Sequence, residues 1–156
     1  MLDITIPGFG ELHLAHMVMD YNGTLAVDGQ LLPGVGQRLE TLGRQLALHV
    51  VTADTFGKVR QTFEGSDVTV RILPKDQQDL AKQAYVNSLG AIHTVSLGNG
   101  RNDRLMLETA ALGIGLVLAE GAASGTLMAA DVVCNCVADA LDLLLHPLRL
   151  TATLRC

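Results

Sequence analysis

Short apolar runs recur along this chain, and helix-length amphipathic segments separate them. The runs fall at residues 13–19, 46–51, 68–73, 93–97, 114–118 and 131–134. Between them, residues 34–45 carry Val35, Leu39, Leu42 and Leu46 at helical spacing, and 56–63 reads as a short helix. Residues 76–89 read as a longer helix, with Leu80, Ala84 and Leu89 inward and Gly90 as its stop. Segments 102–111, 124–129 and 137–145 continue the alternation, and Pro147 ends the last of them. Strands that are apolar throughout, each followed by a helix, must be buried on both faces, and that condition is met by a parallel sheet covered by helices. The expected fold class is therefore α/β, a doubly wound, Rossmann-type parallel sheet with helices on both faces.

Composition agrees with one such core. The chain has 156 residues, 49% of them hydrophobic and 17% charged, with a formal charge of −5. This is one domain's worth of sequence (1–156), too apolar to stay disordered. The only aromatics among Phe, Tyr and Trp are Phe9, Tyr21, Phe56, Phe63 and Tyr85, so neither a basic stripe nor a stacking platform for nucleic acid is present. Cys134, Cys136 and Cys156 are an odd set, better read as reduced thiols than as a disulfide framework. The start of the chain lacks the basic region of a signal peptide, and the run 109–119 is too short to span a bilayer. A cytoplasmic protein without membrane partners is expected. Residues 2–6 suit an edge strand or hairpin. The leucine-bearing tail, 148–156, suits either padding of the sheet edge or contact with another subunit, and with the low charge fraction it points to a homo-oligomer.

Ligands of open α/β sheets sit beyond the carboxyl ends of the strands. Past the first strand comes Asp20-Tyr21-Asn22-Gly23-Thr24-Leu25, and past the second Thr52-Ala53-Asp54. Lys82 lies on the helix after the third, and Gly98-Asn99-Gly100-Arg101-Asn102-Asp103 follows the fourth. A carboxylate, a hydroxyl, an ammonium and an acid-amide loop at successive strand ends suit a phosphate and divalent-cation site. Asp20 is placed to attack phosphorus, Thr52 and Lys82 to hold phosphoryl oxygens, and Asp103 to supply charge to Mg²⁺, which prefers oxygen ligands.

These segments resemble the four motifs of the haloacid-dehalogenase-like (HAD) superfamily. Val18-Met19-Asp20-Tyr21-Asn22-Gly23-Thr24-Leu25 is similar to its first motif, Thr52 to its second, Lys82 to its third, and Gly98-Asn99-Gly100-Arg101-Asn102-Asp103 to its fourth. Thr52-Ala53-Asp54 further resembles the second motif of the phosphorylation domain of P-type ATPases, in a free-standing form. The resemblance implies an Mg²⁺-dependent phosphohydrolase or phosphotransferase working through an aspartyl-phosphate, on a phosphorylated small molecule or macromolecule. It implies Asp20, Asn22, Thr52 and Lys82 as catalytic positions and Asp20, Asn22, Asn99 and Asp103 as metal positions. The intervals Asp20 to Thr52 and Thr52 to Lys82 leave no room for a cap domain.

Two positions depart from the pattern. The acid that protonates the leaving group and activates water is Asn22 here, and an amide does neither at neutral pH. The first acid of the fourth motif is Asn99. Slow turnover and a weak Mg²⁺ site follow, and a non-catalytic module that binds phosphate or a protein is the alternative. Simpler readings exist for each residue. Asp20 suits a turn, Thr52 a helix cap, Asp103 a helix N-terminal charge, and Asp54 an N-cap or hinge. Lys75 competes with Lys82. No G-x-G here carries the third glycine of a dinucleotide fingerprint, and a receiver domain would need an acidic pair upstream that Asp3 and Glu11 do not form.

Overall fold

The structure is a computed structural model that describes residues 1–53 and 57–156. The chain opens as an antiparallel hairpin of β1 (Leu2–Ile6) and β2 (Gly10–Leu14), which buries Leu2, Ile4, Ile6, Leu12 and Leu14 on one side. Ala15 then breaks the apolar run. Its N–H donates to the His93 carbonyl and its carbonyl accepts from Ala47 N–H, each at 2.8 Å. The chain re-enters as β3 (His16–Met19), so the single strand expected over 13–19 is two, and His13 belongs to the hairpin.

A two-residue-arm hairpin, β4 (Ala26–Val27) and β5 (Gln30–Leu31), precedes α1 (Val35–Leu42). There follow β6 (Ala47–Thr52), α2 (Val59–Thr62), β7 (Thr69–Ile72) and α3 (Gln78–Leu89). The second half holds β8 (Thr94–Gly98), α4 (Arg104–Thr109), β9 (Leu112–Leu116), α5 (Ser124–Met128) and β10 (Val132–Cys134). It closes with α6 (Val137–Leu145) and α7 (Pro147–Leu154). Asp54 and the first residue of the expected 56–63 helix lie outside the described residues. Among those described, no helix is long and apolar enough to cross a membrane.

Six strands form one parallel sheet in the order β7-β6-β3-β8-β9-β10. The chain builds outward from β3 through β6 to β7, then returns to the other side of β3 for β8. The order therefore reverses at β3, and a crevice opens beyond its carboxyl end. Alternation along β3 divides the core. Met17 and Met19 join the larger cluster, with Val35 and Leu39 of α1 and Leu141 and Leu144 of α6. Val18 joins the smaller one, with Val86 of α3 and Met106 and Leu107 of α4. The tail is α7, packed against β1 with Leu150 fully buried, so it pads the fold, while Leu148 stays exposed.

The helix α3 departs from its expected form in two ways. It begins at Gln78 because Gln77 holds a left-handed backbone (φ 53°), which delays the first turn. Its buried stripe is Lys82 and Val86, flanked by Ala81, Tyr85 and Leu89, while Leu80 and Ala84 are exposed. A reading by hydrophobicity turns the lysine outward; here its ammonium is the group that the helix delivers to the interior. The expected helix 102–111 is likewise split. A 3₁₀ turn, Arg101–Asp103, precedes α4, because the Asp103 carboxylate folds back onto the loop before it.

Candidate active site

β3 ends at Met19, and Asp20 follows, its N–H bonded to the Leu97 carbonyl at 3.0 Å. This bond ties Asp20 to the end of β8. Asp20 shares its strand face with Val18, the face that α3 covers, so its carboxylate meets Lys82. Lys82 Nζ donates to Asp20 Oδ1 and to Asp103 Oδ1, both at 2.6 Å. Lys82 and Asp103 have no exposed surface, and Asp20 is 8% exposed. Lys75, the competing lysine, is exposed.

Asp103 is fixed from its other oxygen. Oδ2 accepts the N–H groups of Asn99 at 2.9 Å and Gly100 at 2.8 Å. The loop can wrap this tightly because residue 98 is glycine, since a Cβ there would lie 2.5 Å from Asp103 Cβ and Cγ. Asn99 is held on both sides of its amide. Thr24 Oγ1 donates to its Oδ1 at 3.3 Å, and its Nδ2 donates to the Gly121 carbonyl at 3.0 Å. Gly23 lies against the same amide, where a Cβ would come within 2.5 Å of Nδ2. The Asn22 Oδ1 accepts the Gly29 N–H at 3.1 Å and so braces the β4–β5 turn. Thr52, buried at the end of β6, has its carbonyl bonded to Leu73 N–H at 2.8 Å.

Two carboxylates around one ammonium leave an excess negative charge in a buried place. Burial raises the Asp20 carboxyl first, and the Asp103 charge raises it further. Lys82 pulls the other way, and the outcome is a pKa of about 7. For Lys82, burial favours the neutral amine, but the two carboxylates outweigh it and hold the ammonium above its ordinary range. The cluster can therefore present a fixed cation beside a carboxylate that titrates near neutrality.

Among the described residues, no group of three or more His, Cys, Asp or Glu forms a metal cluster. Asp20 and Asp103 are hard oxygen donors sharing one ammonium, and two carboxylates completed by water and phosphate oxygens are a sufficient donor set for Mg²⁺. The donor chemistry fits that cation, and the Asn99 amide oxygen, which accepts from Thr24 Oγ1, keeps a second lone pair for it. The fold thus brings Asp20, Lys82 and Asp103 into contact and sets Asn99 beside them, whereas Asn22 is bonded to its own hairpin. Sequence reasoning gave no role to Thr24 or to Tyr21, although both lie inside the first motif. Tyr21 is buried and its hydroxyl donates to the Gly29 carbonyl at 3.1 Å, so it anchors the same hairpin that Asn22 braces.

No family model matches the chain. It is 49% identical over 61 residues to the uncharacterized protein MJ0073 of Methanocaldococcus jannaschii, a match covering 39% of this chain and 66% of that protein's length. Among solved structures it is similar to 3-deoxy-D-manno-octulosonate 8-phosphate phosphatase from Moraxella catarrhalis, in complex with magnesium ion, phosphate ion and KDO, at 19% identity and a TM-score of 0.68. That likeness covers 85% of this chain and 86% of the other. The cobalt-bound form of the deoxy-D-mannose-octulosonate 8-phosphate phosphatase from Haemophilus influenzae gives 14% identity and a TM-score of 0.69, over 85% and 88% of the two chains. A putative HAD superfamily (subfamily III A) hydrolase from Legionella pneumophila gives 16% and 0.71, over 91% and 87%. The six-stranded parallel sheet, reversing at β3 and carrying no inserted cap domain among the described residues, is the HAD-like fold.

Proposed function

We propose that this chain is an Mg²⁺-dependent phosphohydrolase or phosphotransferase in which Asp20 becomes an aspartyl-phosphate. The observation that carries this reading is the placement of Lys82 Nζ 2.6 Å from both Asp20 and Asp103. A carboxylate oxygen of Asp20 would form the bond to phosphorus as the bond from phosphorus to the leaving oxygen breaks, and the electron pair departs with that oxygen. Lys82 and Thr52 would hold the equatorial oxygens and balance their charge. Asp20 and Asp103, with Asn99 and the Asn22 backbone carbonyl, would hold Mg²⁺, which supplies charge neutralisation to the phosphoryl group when bound. Asn22 gives the leaving oxygen no proton, so the substrates favoured are those with good leaving groups, and hydrolysis of the phosphoenzyme is slow. The narrower likeness to P-type ATPases rests on Thr52-Ala53-Asp54 and on the missing acid at Asn22 alone.

A binding module without turnover is the second reading, and one observation favours it: the Asn22 amide oxygen is already used in bracing the turn at Gly29. The free thiols of Cys134, Cys136 and Cys156 suit the cytoplasm, and exposed Leu148 and Ile92 suit self-association. Mass spectrometry after incubation with Mg²⁺ and acetyl phosphate tests the reading. A phosphate adduct on Asp20, absent in Asp20→Asn, is expected. No adduct with acetyl phosphate or ATP supports the module instead.

A further inference from the structure

Both departures from the HAD pattern carry the same dipeptide. Of the five asparagines in the chain, only Asn22 and Asn99 precede glycine, and these are the two positions where the resembled motifs hold an acid. The fold itself imposes the glycines. Gly23 has a left-handed backbone (φ 78°), and a Cβ there would come within 2.5 Å of Asn99 Nδ2. A Cβ on Gly100 would stand 2.7 Å from Asn102 Oδ1. In an asparagine–glycine pair, the backbone nitrogen of the glycine is tethered next to the side-chain amide carbon, and no Cβ hinders its approach. Closure to a five-membered cyclic imide is then an intramolecular attack between groups already held together.

The two pairs differ in what holds them. Asn99 is 7% exposed, its Oδ1 accepts from Thr24 Oγ1 at 3.3 Å, and its Nδ2 donates to the Gly121 carbonyl at 3.0 Å. The nitrogen that would attack there, Gly100 N, donates its proton to the Asp103 carboxylate at 2.8 Å, a charge-assisted bond. Asn22 is partly exposed, and its Nδ2 has no hydrogen-bond partner among the described residues. Its Oδ1 accepts the Gly29 N–H at 3.1 Å, so negative charge that builds on this oxygen meets a donor already in place. The Gly23 N–H donates to the neutral Ala26 carbonyl at 2.7 Å, and this is the bond that must open before attack.

We propose that Asn22 is a self-deamidation site whose product, an aspartate at position 22, supplies the carboxylate that the acid–base position lacks. The use of that carboxylate in turnover rests on the reading of Asp20 as the phosphoryl site. Gly23 N loses its proton to solvent and bonds to Asn22 Cγ, while Nδ2 takes a proton from water and leaves as ammonia. Water then adds to Cγ, the bond from Cγ to Gly23 N breaks, and a proton returns to that nitrogen. One water is consumed and one ammonia released, with no change of oxidation state. The Gly29 N–H polarises the Cγ carbonyl and not the main-chain carbonyl, so the imide opens to aspartate rather than to the isoaspartate that attack on the main chain would give. The chain is thereby a slow enzyme as synthesised and acquires its hydrolytic base with age.

The test is peptide mass mapping of the full chain, kept folded at pH 8 in water labelled with heavy oxygen, beside the same chain unfolded in urea. In the folded chain, position 22 is expected to convert at least about tenfold faster than position 99, the factor that the bonds holding Asn99 and Gly100 impose on a local opening. In urea those bonds are gone, and the two rates should agree within about twofold. The converted peptide should carry heavy oxygen, with aspartate exceeding isoaspartate. Asn22→Gln, which would need a six-membered ring, should not convert. Asn22 still intact when the unfolded chain has converted, position 99 keeping pace with position 22, or isoaspartate as the main product overturns the proposal. Turnover of p-nitrophenyl phosphate by the aged chain separates this from the reading it serves. Aspartate at position 22 without a gain in turnover leaves the deamidation site standing and sinks the hydrolytic role.

Discussion

Lys82 Nζ lies 2.6 Å from Asp103 Oδ1, and both residues are completely buried. Asp103 in turn holds the Asn99 and Gly100 N–H groups. The ammonium is therefore a structural keystone for α3, the 99–103 loop and the end of β3 together. Truncating it leaves two buried carboxylates without a counter-charge. Lys82→Met should cost about 3–5 kcal/mol of stability, the usual penalty for breaking a buried pair. Urea unfolding at pH 7.5 measures this, and a loss below about 1 kcal/mol would show that the cluster is wet or already neutral.

Asp20→Asn should do the reverse at neutral pH and above. The folded-state pKa of Asp20 is pushed up to about 7, by burial first and by the Asp103 charge second, from an ordinary 3.8. A carboxyl raised on folding favours the folded state below pH 3.8, and that contribution is lost as pH rises through 7. An amide cannot ionise, and it leaves Lys82 and Asp103 as a one-to-one pair. The variant should melt higher than the wild type at pH 8 by at least about 1 kcal/mol equivalent, with the gap closing toward pH 5. A gap that widens on acidification contradicts the assignment.

A histidine pair at the opposite end of the sheet gives a separate acid-side dependence. His16 Nδ1 lies 3.2 Å from His49 Nε2, and His49 Nδ1 lies 3.0 Å from the Tyr85 hydroxyl. Both imidazoles are lowered from 6.5, His16 by burial and then by His93, His49 by burial and then by His16. A histidine lowered on folding contributes stability above pH 6.5, and loses it as pH falls through the folded-state value. His49→Gln should flatten the fall in melting temperature between pH 7 and pH 5. An unchanged slope places the acid sensitivity elsewhere.

The sequence made Asp20, Thr52 and Asp103 legible because a parallel strand stops sharply and its first polar residues lie at the ligand end of the sheet. Lys82 was legible through motif order only. Its helix read as facing inward through Leu80 and Ala84, because hydrophobic spacing counts a lysine as a surface residue, and only partners 62 and 21 residues away reverse that. The break at Ala15 was hidden for a similar reason. Nothing in the composition of 13–19 marks it, and its hydrogen bonds go to His93 and Ala47. Asn99 could be placed at the site but not oriented, since Thr24 and Gly121 fix its amide from distant loops.

The remaining prediction concerns Asn22. Phosphorylation of Asp20 and hydrolysis of the adduct are separate steps, and only the second needs a base to take a proton from water. An amide cannot be that base, and a missing acid or base costs about 10²–10⁴ in rate. Asn22→Asp supplies the carboxylate at nearly unchanged volume. It also keeps the acceptor that the Gly29 N–H now uses at 3.1 Å, so the hairpin should survive the change. The same bond competes with catalysis, because a carboxylate held by Gly29 is not free to reach the leaving oxygen. The expected gain in turnover of p-nitrophenyl phosphate with Mg²⁺ is therefore at least about tenfold, below the middle of the general acid–base range. The wild-type adduct on Asp20 should outlive that of the variant in a chase with unlabelled buffer. Equal turnover in the two proteins removes the role given to position 22, and two inert proteins whose Asp20 never gains phosphate establish the binding module.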